Sequence, residues 1–276
     1  MSKKGVILFI SYTILVLGVI SMIAPFLWML VTSFMTDSQI FSYPPNFIPR
    51  PFIIENYQNT AQQLPLAQYF YNSFVVSAAT TIGQILFASM AGFAFAKLNF
   101  KYKEPLFLLI LATMMIPPQV NIIPLFYVMK ELNWIDTFHA LIVPGLFGGF
   151  GIFLMRQWFK SVPDALFEAA KIDGCNLFQT FFKIALPLAL PAIATLAIFT
   201  FISSWNSFMW PLIVTNSDSI RTLPVALASF KGSFRETIEW GQLMSCAVIT
   251  TLPAICVFLL GQKFFIKGIM TAGVKE

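Results

Sequence analysis

Long stretches without a charged side chain alternate with short charged segments along the chain. Each stretch can hold the roughly 20 apolar residues that a helix needs to cross the hydrocarbon of a membrane. The second stretch begins with the polar run NYQNTAQQLP, so its helix is expected to start near Tyr69. The pattern predicts an all-α membrane protein with six transmembrane helices. The expected spans are, approximately, 5–32, 69–96, 105–129, 137–156, 183–215 and 240–263.

The composition supports this prediction. Of the 276 residues, 58% are hydrophobic and 11% are charged, whereas soluble chains carry about 25% charged residues. The segments between the predicted helices are too short to bury a hydrophobic core of their own. We therefore expect one membrane domain over residues 1–276.

The distribution of Lys and Arg predicts the orientation in the membrane. If the N-terminus lies inside, the inner segments hold twelve of the 17 Lys and Arg residues and the outer segments hold five. Positive charges accumulate on the cytoplasmic side of multi-pass proteins, so both termini are expected in the cytoplasm. The net charge of +5 then reflects topology. We therefore expect the chain to lie in a lipid bilayer, and we expect no nucleic-acid partner.

The stretch SVPDALFEAAKIDG in the second half of the chain predicts a short helix at about 162–174. Ser161 is expected to cap it, with Pro163 in the first turn and Asp164 at the third helical position. Gly174 can adopt the left-handed backbone that ends a helix. This helix is mostly apolar and too short to cross a membrane, so it needs a protein surface to pack against.

Polar residues interrupt the predicted third span. The run MMIPPQVNIIP places Gln119 and Asn121 among three prolines at membrane depth. Irregular backbone is tolerated there where it packs in protein or lines a cavity. The run is therefore either a kink with satisfied amides or part of the lining of a solute pathway.

The predicted fifth span carries a second polar and aromatic cluster near its outer end. Aromatic side chains at that depth are typical of an anchoring belt at the membrane surface. Aromatic faces and amides are also suited to stacking on sugars and to bonding their hydroxyl groups. The candidate pathway residues in this cluster are Ser203, Trp205, Asn206 and Trp210.

Several kinds of chemistry lack the residues they need. The sequence contains no G-x-x-x-x-G-K-[ST] phosphate loop, so the chain is not expected to bind ATP itself. The single His and the scattered carboxylates form no catalytic cluster, and neither they nor the three Cys have metal-binding spacing. We therefore expect no enzyme activity, no metal and no cofactor bound by this chain.

The run EAAKIDGCNLFQTFFKIALPLALP resembles the EAA motif of the membrane subunits, or permeases, of bacterial ABC importers. Asp173, immediately before Gly174, is usual in the sugar-importing branch of that family. The residues on motif positions are Glu168, Ala169, Ala170, Gly174, Ile184, Leu186 and Pro187. The motif suggests that the predicted short helix is the coupling helix of these permeases, which docks on an ATPase subunit.

Three other runs extend the resemblance over most of the chain. YPPNFIP followed by ENY is similar to the first outer loop of sugar-importer permeases, and WN–F––PLI is similar to their fifth span. The tail QKFFIKGIMTAGVKE resembles the C-terminus of the maltose-importer type, where TAG–VK reaches the ATPase interface. The resemblance therefore adds Lys275 to the expected coupling residues Glu168, Ala169, Ala170, Asp173 and Gly174.

The resemblance implies a type I ABC importer permease fold in the bacterial plasma (inner) membrane. Its implied partners are a second related permease, two copies of an ABC ATPase that binds ATP and Mg, and an extracytoplasmic solute-binding protein. The implied solute is a sugar or a related polyol. The outer segment Asn216–Glu239 is expected to be a polar loop on the face where the binding protein docks.

Other functions need to be weighed against this one. A related permease for glycerol phosphate, a glycosylated osmolyte, phosphate or an amino acid is the nearest alternative. An ion-coupled secondary carrier is less favoured, because such carriers usually need a charged residue within the membrane and no charged residue lies well inside a predicted span. A membrane enzyme is disfavoured by the missing catalytic cluster.

Overall fold

The structure is a computed structural model that describes residues 3–233 and 239–273, and this part of the chain contains helices and turns without a strand. A π-helix lies at Phe181–Ala185, and 3-10 helices lie at Pro118–Asn121 and Val143–Gly145. The α-helices are α1 (Lys3–Thr32), α2 (Asp37–Ile40), α3 (Glu55–Gln63), α4 (Leu66–Lys97), α5 (Lys103–Met114), α6 (Ile122–Glu131), α7 (Phe138–Ile142), α8 (Gly149–Ser161), α9 (Asp164–Ile172), α10 (Leu177–Thr180), α11 (Leu186–Leu188), α12 (Leu190–Trp205), α13 (Met209–Val214), α14 (Leu223–Ser233) and α15 (Trp240–Gly273).

Four helical segments in the described part of the chain are long and apolar enough to cross a membrane: Ile7–Thr32, Leu66–Lys97, Phe138–Ser161 and Trp240–Lys263. Two further candidates are sharply bent pairs of helices. Lys103–Met114 and Pro118–Glu131 meet at 93°, and Leu177–Leu188 and Leu190–Trp205 meet at 76°. If each bent pair of helices crosses the membrane once, the number of spans is the predicted six.

The prolines account for the two bends. Proline has no N–H to donate and disfavours a helical residue before it. The break after α5 falls at Pro117, as the polar run led us to expect. The second bend lies at Ala189, between Pro187 and Pro191, neither of which can donate a helical N–H. This second break was not predicted from the sequence.

One compact unit comprises the described residues of 1–66 and 226–252. In it, Asn56 Nδ2 donates to the backbone oxygens of Ser33 and Met35, both at 2.9 Å. Thr60 Oγ1 lies 2.9 Å from Ser245 Oγ. These bonds attach α3 to the end of α1 and to α15. The apolar side chains along α1 are exposed, as in a helix that faces lipid.

The other compact unit comprises the described residues of 67–225 and 253–273, and it has two hydrophobic clusters. The first joins α4, α8 and α12 through Phe93, Met155, Phe159, Phe181 and Leu196, among others. The second joins α4 to α6, α7 and α13 through Val76, Met129, Leu141 and Val214, among others. Helix α4 is therefore the element that connects both clusters.

The outer segment Asn216–Glu239 differs from the expected polar loop. Residues Leu223–Ser233 form α14, and Pro224 stands in its first turn, where a missing N–H costs little. The first N–H of this helix, from Leu223, donates to Ser73 Oγ at 2.8 Å. The loop prediction is therefore wrong for this stretch, and residues 234–238 lie outside the described part of the chain.

Candidate functional site

A cavity of about 730 Å³ opens among α4, the bend between α5 and α6, and helices α12 and α13. Hydroxyl and amide groups converge on it from α4, from the bend, from α12 and from the segments before α13 and α14. Its polar lining residues are Ser73, Thr80, Gln84, Gln119, Asn121, Thr200, Ser203, Ser204, Ser207 and Thr222. Aromatic rings from Phe147, Phe150, Phe199, Phe208 and Trp210 complete the wall.

One face of α4 supplies the longest run of lining residues. Ser73, Val76, Thr80 and Gln84 recur at intervals of three and four, which places them on one side of a helix. The Gln84 amide is held in place, because its Oε1 accepts a hydrogen bond from Thr200 Oγ1 on α12. Gly148 leaves space for the Gln84 side chain, since a Cβ at position 148 would collide with Gln84 Nε2.

The bend between α5 and α6 brings Gln119 and Asn121 to the wall. The chain leaves α5 near Met115, and Pro117 is extended at φ −57° and ψ 131°. The 3-10 turn Pro118–Asn121 follows, and both polar side chains are on it. Irregular backbone in a membrane segment is tolerated where it lines a cavity, and the structure places this bend there.

The structure brings together four of the six predicted pathway residues, namely Gln119, Asn121, Ser203 and Trp210. Trp205 is only 1% exposed and lies against Phe70 and Phe201, with ring centroids 5.4 and 5.8 Å away. Trp205 and Asn206 are both absent from the cavity lining. The pattern of aromatic and amide residues could not separate a ring that faces a cavity from one that packs between neighbours.

The lining residues on α4 were missed by the sequence analysis. Ser73, Thr80 and Gln84 lie inside a charge-free stretch that was treated only as a span. Their helical spacing, together with the nearby Asn72, Ser77 and Thr81, was the available signal. Such a polar stripe on an apolar helix indicates a face that is turned away from lipid.

The cavity is polar but uncharged. Every described residue that lines it is neutral. The 216–222 segment contains an ion pair, in which Arg221 Nη1 lies 2.7 Å from Asp218 Oδ1. Neither of these two residues lines the cavity. The cavity can therefore hydrogen-bond to hydroxyl groups and stack on apolar faces, but it offers no charge to an ion.

Asp136, just before α7, orders the same segment. Its Oδ1 accepts the backbone N–H groups of Asn216 and Ser217, at 2.8 and 3.0 Å. Partial burial acts to raise the pKa of Asp136, but the hydrogen bonds from Ser217 and Asn216 and the charge of Arg221 outweigh it and lower the pKa. The carboxylate is thus kept ionised as an acceptor.

The second candidate site is α9, which covers most of the predicted coupling helix. It runs over Asp164–Ile172, shorter than the expected 162–174. The predicted Ser161 cap is wrong, because Ser161 ends α8 and its Oγ donates to Trp158 O at 2.7 Å. Val162 precedes a proline and is therefore extended, with ψ 129°. Pro163 takes the N-cap position, and Asp164 is the first helical residue instead of the third.

The end of α9 confirms the predicted role of Gly174, whose φ is +78°. Cys175 N donates to Ala170 O at 2.9 Å, and Gly174 N donates to Lys171 O at 3.2 Å. These two bonds are the Schellman arrangement, which satisfies the last carbonyls of a helix. A Cβ at Gly174 would meet no described atom within 4 Å, so only the backbone conformation of this chain favours glycine there.

The predicted coupling residues divide into two groups. Glu168, Ala169 and Asp173 are exposed, whereas Ala170 is 3% exposed and packs inside the chain. Lys275 lies outside the described residues. Large apolar side chains are exposed beside the first group, at Leu166, Ile172, Leu177 and Phe178. The α9 region therefore presents a mixed apolar and acidic surface, which is suited to a protein partner.

The chain was compared with known proteins. Residues 84–271 match the family model described as binding-protein-dependent transport system inner membrane component. The sn-glycerol-3-phosphate transport system permease protein UgpE of Yersinia enterocolitica is 31% identical over 275 residues, 98% of each chain. The protein of the same name from Brucella abortus is 33% identical over 268 residues, 95% of each chain.

Two solved structures have the same fold. A bacterial ABC transporter involved in the import of the acidic polysaccharide alginate has a chain that matches with a TM-score of 0.86, at 22% identity, over 96% of this chain and 99% of that one. A chain from the alginate transporter in complex with its alginate pentasaccharide-bound periplasmic protein matches with a TM-score of 0.64, at 14% identity and 92% coverage of both.

These findings remove the carrier and enzyme alternatives, because the matching family consists of transport subunits that work with a binding protein. The helical architecture and the apolar segments agree with that family. The chain therefore belongs to the binding-protein-dependent transport system inner membrane components, as a multi-pass inner-membrane permease subunit with the ABC importer permease fold.

Proposed function

We propose that this chain forms half of the translocation pathway of an ATP-driven importer of uncharged sugars or related polyols. The observation that carries the solute class is the polar, uncharged cavity, in which ten hydroxyl and amide side chains are combined with aromatic rings. Such walls match a solute that presents many hydroxyl groups and apolar ring faces.

Glycerol 3-phosphate is the second candidate, because the relatives at 31% and 33% identity are named for it. A phosphate group carries about −1.5 to −2 charges at neutral pH. Phosphate sites in proteins commonly use Arg or Lys to balance that charge, and no Lys, Arg or His stands among the described lining residues. The cavity of this subunit therefore favours a neutral solute.

The proposed assembly contains a second related permease, two copies of an ATPase and an extracytoplasmic solute-binding protein. ATP and Mg bind on the ATPase, since this chain has no phosphate loop. The acidic and apolar surface around α9 is proposed as the docking surface for that ATPase. Positive charges stand at the end of α4 and just after it, and at the end of α8 that precedes α9: Lys97, Lys101, Lys103, Arg156 and Lys160. This supports a cytoplasmic location for α9 and for both termini.

In this mechanism, closure of the ATPase moves α9, and α9 shifts the permease between inward-facing and outward-facing states. To move such an equilibrium from 1:99 to 99:1 takes about 5.5 kcal/mol of differential binding. ATP and the loaded binding protein supply it, because each binds one of the two states more tightly than the other. The uncharged cavity contributes hydrogen bonds and shape, and the solute crosses without an accompanying ion.

The test uses the complex reconstituted in vesicles with its second permease, its ATPase and its binding protein. We expect neutral sugars to stimulate ATP hydrolysis and to be imported, and we expect Glu168→Lys and Gly174→Asp to abolish uptake while the subunit remains inserted. Glu168→Lys reverses an exposed charge on the docking surface, and Gly174→Asp adds bulk and charge to it.

Two variants serve as controls. Lys160→Ala removes an exposed cation at the approach to α9 and should leave uptake unchanged. Gly174→Ala costs roughly 1 kcal/mol of backbone strain without adding a charge, so it should retain most of the uptake. Normal uptake by both Glu168→Lys and Gly174→Asp would overturn the coupling role. Stimulation by glycerol 3-phosphate alone would overturn the neutral solute.

A further inference from the structure

The connection between α8 and α9 is only two residues long and is not helical. Val162 has φ −77° and ψ 129°, and Pro163 has φ −58° and ψ 135°. Extended residues between two helices are positions at which a small change of backbone angle swings one helix relative to the other. A helix that must transmit a push to the rest of the permease needs this connection to be held.

The side chain of Lys97, the last residue of α4, spans that connection. Its Nζ donates at 2.6 Å to Val162 O and at 2.6 Å to Asp164 Oδ1. It also lies 4.9 Å from the centroid of the Phe167 ring. Lys97 therefore binds the linker and the first turn of α9 at the same time. Its side chain is only 8% exposed, whereas that of Asp164 is 76% exposed.

The surrounding side chains hold α4 against both helices at this point. Phe93 lies one turn before Lys97, and its ring centroid is 5.6 Å from Phe159 of α8 and 5.8 Å from Phe167 of α9. Arg156 of α8 donates through Nε to Phe95 O at 3.2 Å. The backbones also approach closely, because a Cβ at Gly92 would lie 2.8 Å from Arg156 N.

Helix α4 then continues from this junction to the cavity without a break. Gln84 in the cavity wall and Lys97 are both in α4, thirteen residues apart and hence roughly 20 Å along the axis. The route through the following helices is different, because it contains the π-helix Phe181–Ala185 and a bend of 76° before α12. A push on α9 therefore has a continuous path to the cavity through α4.

We propose that Lys97 is a positioning residue that locks α9 to α4, so that α9 and the cavity wall on α4 move as one body. This inference rests on the proposed importer function. Lys97 contacts neither the solute nor the ATPase in this account. It acts by fixing the angle of α9 at the Val162–Pro163 linker, so its loss should change how well ATP hydrolysis is converted into uptake.

The experiment measures solute imported per ATP hydrolysed by the full complex in vesicles, together with co-purification of the ATPase. Lys97→Met keeps the length and apolar stem of the side chain but removes the ammonium. We expect the coupling ratio to fall about tenfold, which is the loss expected when a charge-assisted hydrogen bond is removed. The ATPase should still co-purify, because the docking surface is unchanged. Lys97→Arg should restore most of the ratio.

Two further variants keep the proposal testable. Asp164→Asn alters an exposed residue and removes the negative charge from only one of the contacts of Lys97, so we expect a smaller fall in the same direction. Lys101→Met removes an exposed cation from the loop that follows α4 and should leave the ratio unchanged.

A normal coupling ratio in Lys97→Met would overturn the proposal, and so would release of the ATPase by that variant. If Lys97→Met fails to insert, a normal ratio in Asp164→Asn overturns it instead. Each of these results leaves the importer function intact, because that function is tested separately by sugar uptake and sugar-stimulated ATP hydrolysis in the complex of the natural chain.

Discussion

Two parts of α4 lie in very different surroundings, namely its end at Lys97 and the stretch that lines the cavity, which we call the cavity end. Around Lys97, near α9, aromatic rings and buried cations join α4 to α8 and α9. Arg156 Nε of α8 donates to Phe95 O of α4 at 3.2 Å, and Lys97 Nζ of α4 donates to Asp164 Oδ1 of α9 at 2.6 Å. Around Gln84, the same helix faces a polar cavity whose opposite walls come from broken helices. One end is suited to transmit a movement, and the other is suited to change shape around a solute.

Packing explains why the two ends differ. Close-packed side chains have few alternative arrangements and pass on a displacement without absorbing it. Backbone that is irregular and partly lacks helical hydrogen bonds has lower barriers to rearrangement. The permease therefore places a junction of packed aromatic side chains and hydrogen-bonded cations where the ATPase is proposed to dock, and its breaks where the solute is proposed to pass.

The largest effect is expected from a substitution that separates the helices at the tightly packed end. In Gly92→Leu, the new side chain would collide with Met155 and Arg156, because a Cβ at Gly92 already lies 2.5 Å from Met155 Cβ. Overpacking of a core typically costs about 1–3 kcal/mol, and a contact with backbone should reach the upper part of that range. We expect a clear fall in the midpoint of thermal unfolding of the purified complex.

Gly18→Leu is the matched control for this substitution. Gly18 lies in the exposed helix α1, where a Cβ would meet no described atom within 4 Å. Its midpoint should equal that of the natural chain. Equal midpoints for Gly92→Leu and Gly18→Leu would show that the junction is not tightly packed.

A smaller and different effect is expected at the cavity end. Gln84→Leu removes an amide from the wall and the acceptor of the Thr200 hydroxyl, and Thr200→Val removes the donor. A hydrogen bond contributes about 1 kcal/mol, so we expect uptake at saturating binding protein to fall roughly fivefold. The midpoint of thermal unfolding should change little, because glutamine and leucine are similar in size and the lost hydrogen bond contributes only about 1 kcal/mol.

Thr113→Val is the control for the cavity substitutions. Thr113 is exposed, and its hydroxyl bonds only to Ile110 O within its own helix. Uptake by this variant should be normal. If Gln84→Leu lowers the midpoint as strongly as Gly92→Leu while uptake stays normal, then the contrast between the two ends is wrong.

Much of this arrangement was predictable from local sequence, and the exceptions have physical causes. The helical class, the break at Pro117 and the left-handed Gly174 follow from hydropathy and from backbone chemistry that acts over a few residues. The cap at Ser161 was wrong because the preference of Val162 for extended backbone before Pro163 outweighed the capping tendency of a serine.

The features that were missed depend on residues far apart in the chain. Trp205 is buried because Phe70, on another helix, packs on it, and no local pattern reports that contact. Lys97 was counted only as a positive charge on the inner side, since its partners Val162 and Asp164 lie more than sixty residues away. The polar stripe on α4 was readable in principle, because its spacing is helical, but it occurs in a stretch that hydropathy assigns to lipid.

The central claim is that α9 and α4 move as one body while the bend between α5 and α6 moves relative to them. The most direct test is a pair of spin-label distances measured by pulsed electron resonance in the assembled complex, in a background without the three natural cysteines. One pair joins Lys171 on α9 to Ile82 on α4, and the other joins Lys171 to Val120 in the bend; all three positions are exposed.

The two distances are compared between the nucleotide-free complex and the complex trapped with ATP. We predict that the distance from Lys171 to Ile82 stays the same in the two states and that the distance from Lys171 to Val120 changes. A change in the Lys171 to Ile82 distance as large as the change to Val120 would contradict the account, because α9 would then move without α4.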